Sequence, residues 1–319
     1  MGQRPRGAGK DERDSDRRRR VGDGALMPVI EFARAKVNLF LHVLGRRDDG
    51  YHELESLAAF AETGDRLTAE PMDPEHRAAT LDLEGPEAAA LAAAGGGPNL
   101  VLRAAEAFRA AFPQARPARF RLLKRLPVAS GIGGGSADAA AALRALARLN
   151  GIASDDARLR AIAAGLGADV PVCVPSRAAW MGGVGDKLAA ADLPALPAVL
   201  VNPRVPVETR RVFAALGLAR GRPSAPPAAR PPRVPDREAL LAFLAAQRND
   251  LQAAAEGLAP EIRTVIARLG DAPGCRLARM SGSGATCFGL FDEMDEAAAA
   301  AARIRAANPG WWVAATRLS

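Results

Sequence analysis

Between Pro127 and Asp138 the chain reads Pro-Val-Ala-Ser-Gly-Ile-Gly-Gly-Gly-Ser-Ala-Asp, with glycine at 131, 133, 134 and 135. Residues 119–126, just before it, alternate as a strand does. After it, an alanine-rich run places Leu143, Leu146 and Leu149 on one helical face and stops at Asn150-Gly151. Ser136 is the expected N-cap of that helix. A strand therefore feeds a glycine loop, and the loop feeds a helix. Missing side chains let backbone N–H groups approach an anion closely, and a helix start carries about half a positive charge. Such a loop can wrap a polyphosphate. It is not a P-loop, which needs Gly-Lys-Ser/Thr where this chain has Gly135-Ser136. It is not the dinucleotide fingerprint either, because Ser136 takes the place of the third small residue. The catalytic-loop and metal-loop motifs of protein kinases are absent as well.

A chain of 319 residues suggests two domains. The expected division is a disordered basic tail at 1–26, a first domain at 27–182 and a second at 183–319, the latter carrying an exposed Pro-rich loop at 220–236. An apolar content of 49% supports a buried core. The net charge is +7, of which the tail holds +3, so the body is only mildly basic. That argues against a nucleic-acid footprint and suits an enzyme of phosphorylated substrates. Lys10, Lys36, Lys124 and Lys187 are the only lysines among 43 basic residues. An ammonium does what a guanidinium cannot, so each draws notice. Lys124 and Lys187 read as incidental. Cys173, Cys275 and Cys287 have no ligand or disulfide spacing and read as buried free thiols. No uncharged apolar run reaches about 18 residues and no secretory leader is evident, so a cytoplasmic protein without a membrane partner is expected.

Period-two alternation from Val37 to Val43 predicts a half-buried strand with Lys36 and Asn38 on one face. Strands are also expected over 53–70, and helices over 99–112, 154–166 and 209–217. Residues 167–174 should enter a strand, with Asp169 at its mouth. If Lys36 pairs with Asp169, that carboxylate can accept a proton from an attacking hydroxyl; a helix-capping role fits the spacing equally. Later elements are a strand at 197–203, helices at 237–255, 260–269 and 294–307, and strands at 275–280, 286–292 and 311–316. Met280-Ser-Gly-Ser-Gly-Ala-Thr joins two of those strands, as a second glycine loop or a tight hairpin turn. Tyr51, the chain's single tyrosine, adjoins His52. Such a pair can stack on a base and bond its edge, or be ordinary surface structure.

Ala35-Lys36-Val37-Asn38-Leu39, Pro127 through Ala137, Gly167-Ala-Asp-Val-Pro and Ser281-Gly-Ser-Gly follow one another as in the GHMP kinases, and the chain resembles that family over about 31–316. Asp49-Gly-Tyr-His-Glu-Leu, Val207-Glu-Thr and Asn249-Asp-Leu narrow the likeness to the branch that phosphorylates 4-diphosphocytidyl-2-C-methyl-D-erythritol in isoprenoid precursor synthesis. The resemblance implies an α+β fold of two domains, ribosomal-protein-like then ferredoxin-like, with the active site in the cleft between them. It implies ATP and Mg²⁺ as cofactors, a small-molecule substrate, no nucleic-acid partner, and a monomer or homodimer. It assigns catalysis to Asp169 and its partner Lys36. Pro127, Gly131, Gly133, Gly134, Gly135 and Ser136 take ATP, and Ser136 is the candidate beside Mg²⁺. Asn38, Thr209, Gly282, Ser283 and Gly284 take the substrate, and Tyr51, His52 and Phe213 its cytosine. Ala137 departs from relatives that carry serine there. A sister kinase of homoserine, mevalonate or a sugar, and a non-catalytic RNA-binding protein, are the alternative readings.

Overall fold

The computed structural model describes residues 27–73, 75–76, 78–95, 97–227 and 236–319. The expected tail at 1–26, and 228–235 of the Pro-rich stretch, lie outside the described residues. The chain opens with two long antiparallel strands, β1 (Val29–Arg46) and β2 (His52–Pro71), joined by a turn at 47–51. There follow β3 (Thr80–Glu84), α1 (Ala88–Ala93), α2 (Leu100–Ala111), β4 (Ala118–Leu123), α3 (Gly134–Leu149), α4 (Ala157–Leu166) and α5 (Val170–Cys173). The middle of the chain holds β5 (Ala179–Gly183), β6 (Lys187–Ala190), β7 (Leu196–Asn202), α6 (Thr209–Ala215) and β8 (Arg222–Pro223). The remainder is α7 (Arg237–Ala245), α8 (Gln252–Leu258), α9 (Glu261–Gly270), β9 (Cys275–Met280), β10 (Cys287–Phe291), α10 (Met294–Ala307) and β11 (Trp312–Leu318).

The main strand path runs β3-β4-β2-β11-β7-β10-β9, with β1 and β5 also paired to β2. β3 and β4 are parallel; the other pairings between these strands are antiparallel. β2 and β11 meet at one residue pair, Ala61 with Leu318. One apolar cluster packs α2, α3 and α4 on the first strands through Phe60, Phe108, Phe120 and Leu143. A second packs α9 and α10 on β7 and β10 through Ile262, Leu269, Phe291 and Ile304. A third, with Phe40, Leu57, Leu244, Phe288 and Leu318, draws on both halves of the sheet.

Several local expectations change. β1 is buried on both faces from Ala35 to Val43. Val37 and Leu39 pack into the third cluster, Leu41 and Val43 into the second, and polar Lys36, Asn38 and His42 are sealed in with them. The helix after the glycine loop starts at Gly134, not after Ser136. Its N-cap is Gly133, at φ +63°, a left-handed conformation that glycine takes without steric cost. Residues 170–173 form a short helix rather than a strand, and Pro171 fits its first turn because no N–H is needed there. A short apolar run cannot be told from a buried helical turn by periodicity alone. The helix expected over 237–255 is two, α7 and α8, parted where Asn249 turns its amide to the carbonyls of Met280 and Gly282. Within 220–236, Arg222 and Pro223 pair with Arg46 and Gly45, so this part of the stretch is strand rather than free loop. Cys275 is half-buried, while Cys173 and Cys287 are buried. Among the described residues no helix is long and apolar enough to cross a membrane.

Candidate active site

β1 carries Lys36 into the middle of the molecule, and the turn before α5 brings Asp169 to it. Lys36 Nζ donates to Asp169 Oδ1 at 2.9 Å and to Asn38 Oδ1 at 3.0 Å. The lysine side chain is 5% exposed and the aspartate 42% exposed. The pair therefore has a buried cation and a carboxylate open to whatever enters from solvent. Cys173, one helical turn on, is no rival nucleophile: burial first, and the nearby Asp169 charge second, push its thiol up to about 12.

The glycine loop lies against this pair. Lys36 N–H donates to the Ile132 carbonyl at 2.9 Å. A Cβ at Gly133 would stand 3.3 Å from that of Lys36. On the loop's other side, the turn between β9 and β10 closes in. Thr286 N–H donates to the Ser130 carbonyl at 3.1 Å, and Ser281 Oγ donates to the Gly131 carbonyl at 3.2 Å. Gly131 is at φ +73°, and a Cβ there would meet the Gly284 carbonyl oxygen at 2.5 Å. The glycines thus serve two ends: left-handed backbone, and contact with a second loop that admits no side chain. Pro127 is buried and its carbonyl accepts from Ser130 Oγ at 2.7 Å. Gly135 is exposed and Ser136 half-buried, both in the first turn of α3.

Contacts then run outward from the pair. Asn38 accepts from Lys36 and donates through Nδ2 to Ser56 Oγ at 2.7 Å; its own N–H donates to Ser281 Oγ at 3.0 Å. Gly282 packs beside Gly131 and Asn38. Ser283 Oγ and Thr209 Oγ1 are 2.8 Å apart. Thr209 opens α6, and Phe213 on the next turn lies 4.7 Å from His52, ring centre to ring centre. Burial, and then the Arg46 charge, lower the pKa of His52, so its ring stays neutral at pH 7. Tyr51 is 66% exposed. Residues named from sequence are thus brought together from the glycine loop and the Lys36–Asp169 pair through Asn38, the 281–284 turn and Thr209 to the Phe213 and His52 rings, while Tyr51 stands exposed beside them.

Ser281 and Asn249 stand in segments that the sequence already singles out, but nothing in the sequence shows the contacts by which they hold this arrangement in place. Ser281 bridges β1 and the glycine loop, and Asn249 fastens its turn. Lys124 is not incidental: it is buried, with Nζ 2.5 Å from Asp65 and 2.7 Å from Asp138. A Cβ at Gly134 would lie 3.2 Å from that ammonium, so the group supports the loop from beneath. Its only signal in sequence was the rarity of lysine. Lys187 is exposed.

Residues 99–177 match the N-terminal domain of the GHMP kinases and residues 235–310 the family's C-terminal domain. A 4-diphosphocytidyl-2-C-methyl-D-erythritol kinase of Methylobacterium radiotolerans is 55% identical, the match covering 91% of this chain and 99% of the relative. That of Bradyrhizobium diazoefficiens is 52% identical over 91% and 98%. The crystal structure of a 4-(cytidine 5'-diphospho)-2C-methyl-D-erythritol kinase superposes with a TM-score of 0.71 at 36% identity, covering 91% of this chain and 99% of that one. Homoserine kinase from Cytophaga hutchinsonii shares the fold, with a TM-score of 0.63 at 17% identity. Identity above one half, sustained along nearly the whole of each relative, goes beyond a shared fold: the chain belongs to the GHMP kinases, in the branch of the 4-diphosphocytidyl-2-C-methyl-D-erythritol kinases.

Proposed function

We propose that this chain transfers the γ-phosphoryl group of ATP to the 2-hydroxyl of 4-diphosphocytidyl-2-C-methyl-D-erythritol. The site is the cleft between a ribosomal-protein-like domain at 27–182 and a ferredoxin-like domain at 183–319. The observation that carries this reading is the 2.9 Å contact of Lys36 with a half-exposed Asp169 beside the glycine loop. Backbone N–H groups of residues 131–136, at the start of α3, cradle the phosphates. Asp169 accepts the proton of the 2-hydroxyl as its oxygen bonds to the γ-phosphorus and the bond to the β-phosphate oxygen breaks. Lys36 keeps the carboxylate oriented and offsets the charge that gathers on the transferred group. The transition state of such a transfer is loose, so placement and charge supply most of the acceleration.

Tyr51, Phe213 and His52 hold the cytosine, the first two by stacking. A neutral imidazole has one donor and one acceptor nitrogen, which suits a base edge that has both. Thr209 and the 282–284 turn line the path between the base and the reacting hydroxyl. Mg²⁺ fits as an ion carried with the nucleotide. Among the described residues no three His, Cys, Asp or Glu side chains converge as a metal site, and Mg²⁺ is commonly held by few side chains together with phosphates and waters. Ser136 is the hydroxyl that would hold it, and the ion would neutralise phosphate charge.

The test is ATP consumption by the purified chain with this substrate against homoserine, mevalonate and galactose. Turnover confined to the cytidyl compound is expected. Asp169→Asn should lose at least about 100-fold in kcat while ATP still binds. Near-normal turnover in that variant would remove Asp169 from the base role.

A further inference from the structure

Past the end of β7, Arg204 takes φ +61°, a left-handed conformation unusual for an arginine. Its guanidinium forms a two-pronged pair with Glu87, Nη1 to Oε2 at 3.0 Å and Nη2 to Oε1 at 2.5 Å. The glutamate side chain is 2% exposed and the arginine 44%. A buried carboxylate held by both oxygens is specific in geometry, and it is costly to leave without its cation. The two residues come from distant parts of the chain. Glu87 precedes α1, in the turn that follows β3; Arg204 belongs to the β7 side.

Both ends of the pair lead to the glycine loop. On one side Glu87 N–H donates to the Lys124 carbonyl at 3.2 Å, and Lys124 N–H donates to the Glu84 carbonyl at 2.7 Å. The Lys124 ammonium lies under Gly134. On the other side Arg204 N–H donates to Asn202 Oδ1 at 2.7 Å, and Asn202 Nδ2 donates to Thr286 Oγ1 at 2.9 Å. Thr286 N–H in turn donates to the Ser130 carbonyl. Asn202 and Thr286 are both buried. The loop is thereby flanked on both sides by contacts that lead to this pair, hydrogen-bonded through Thr286 and Asn202 on one side and packed on the Lys124 ammonium on the other, and the Arg204 to Glu87 pair is the link with one member open to solvent.

We propose that Arg204 is a positioning residue for the donor nucleotide: paired with Glu87, it fastens the β7 side to the β3–α1 turn and holds the glycine loop in its phosphate-binding shape. This rests on the reading of that loop as the ATP site. Arg204→Gly keeps the backbone conformation and removes the fork. It should raise KM for ATP and the ATP Kd by roughly five- to twentyfold, a typical coupling between linked sites. The kcat and the acceptor KM should stay within about twofold. The variant also leaves Glu87 buried and unpaired, so its melting temperature should fall. Glu87→Gln added to Arg204→Gly should restore melting, yet leave ATP binding weak. Arg204→Lys, a point charge without the fork, should be intermediate.

ATP affinity that recovers together with melting in the double variant would make the pair purely structural and overturn the proposal. So would an ATP Kd within twofold of wild type in both the double variant and Arg204→Lys, even if Arg204→Gly does not fold. Direct titration with ATP separates this from the choice of acceptor. A wild-type chain that binds ATP but phosphorylates another alcohol sinks the substrate assignment alone, and one that binds no ATP sinks both.

Discussion

Lys36 and Lys124 are both buried and both touch the glycine loop, yet their surroundings give them different work. Lys36 meets one carboxylate that opens to solvent, so the pair can be reached by a substrate. Lys124 meets two carboxylates that are sealed from water; Asp65 also accepts the N–H groups of Arg125 and Leu126 at 2.6 and 2.8 Å. Burial first, and then the adjacent Asp65 charge, raise the pKa of Asp138 to about 7 against the opposing pull of Lys124. The two lysines should therefore part in their variants. Lys124→Met strands both carboxylates and should cost about 3–5 kcal/mol of folding stability. Lys36→Met leaves a carboxylate that water can reach, so it should melt close to wild type and lose turnover instead. Thermal unfolding beside steady-state kinetics checks both; a Lys124→Met protein that melts normally would refute the buried-ion account. Sequence reading caught Lys36 because it stands in the Ala-Lys-Val-Asn-Leu segment that resembles the family's motif; alternation alone gave it only a strand face shared with Asn38. It passed over Lys124, whose partners lie 59 and 14 positions away and in no shared pattern.

At the scale of elements, the strand, glycine loop and helix around 127–138 were legible because each is written locally: alternation, missing side chains, an alanine-rich run. The hairpin of β1 and β2 was partly legible. Its turn residues stand in the sequence, but sealing on both sides depends on what packs over it. The geometry around Asp169 was not legible, since the turn of α5 is settled by burial rather than by period. What could not be read at all was the meeting of two glycine-rich segments, 130–135 and 281–286. That contact makes the glycines unequal. Gly131→Ala must accept both a left-handed φ and a clash with the Gly284 carbonyl. Gly151, at φ +64°, has nothing near its missing Cβ. Gly151→Ala should cost about 1–2 kcal/mol, the backbone penalty alone. Gly131→Ala should cost more and should also raise KM for ATP, because the loop must shift off the 281–286 turn. Equal melting and equal KM in the two variants would show that this contact does not shape the loop.

For the whole molecule, the question is how two groups of strands that each carry part of the site stay in register. Lys36, Asn38 and the glycine loop belong with β1 to β4, while Ser281, Gly282 and Thr286 come from the turn between β9 and β10. The sheet passes from one to the other at Ala61 and Leu318. Phe60 and Ser319 exchange two backbone hydrogen bonds there, at 2.8 and 3.1 Å. Arg34 seals the same point, donating to the carbonyls of Ala61 and Phe60, both at 2.9 Å, and to Ser319 Oγ at 3.1 Å. Leu318 is fully buried in the cluster that draws on both halves. Leu318→Ala empties part of that cluster and should cost about 2–5 kcal/mol. In a chain of 319 residues each kcal/mol lowers the melting temperature by roughly 1–2 °C. The seam should loosen before the rest, so exchange of the Phe60 and Ser319 amides should quicken more than exchange in α3. Ser281 is held to Asn38 and Gly131 across that seam, and slack there should reduce kcat/KM even at temperatures where the variant is fully folded. Lower melting with uniform exchange and unchanged kcat/KM would mean that the seam contributes to stability only, and that the site keeps its register through the other contacts between the halves, such as the 281–286 turn, the Arg204–Glu87 pair and the bonds of Leu39 and Leu41 to Arg279, Arg248 and Asp250.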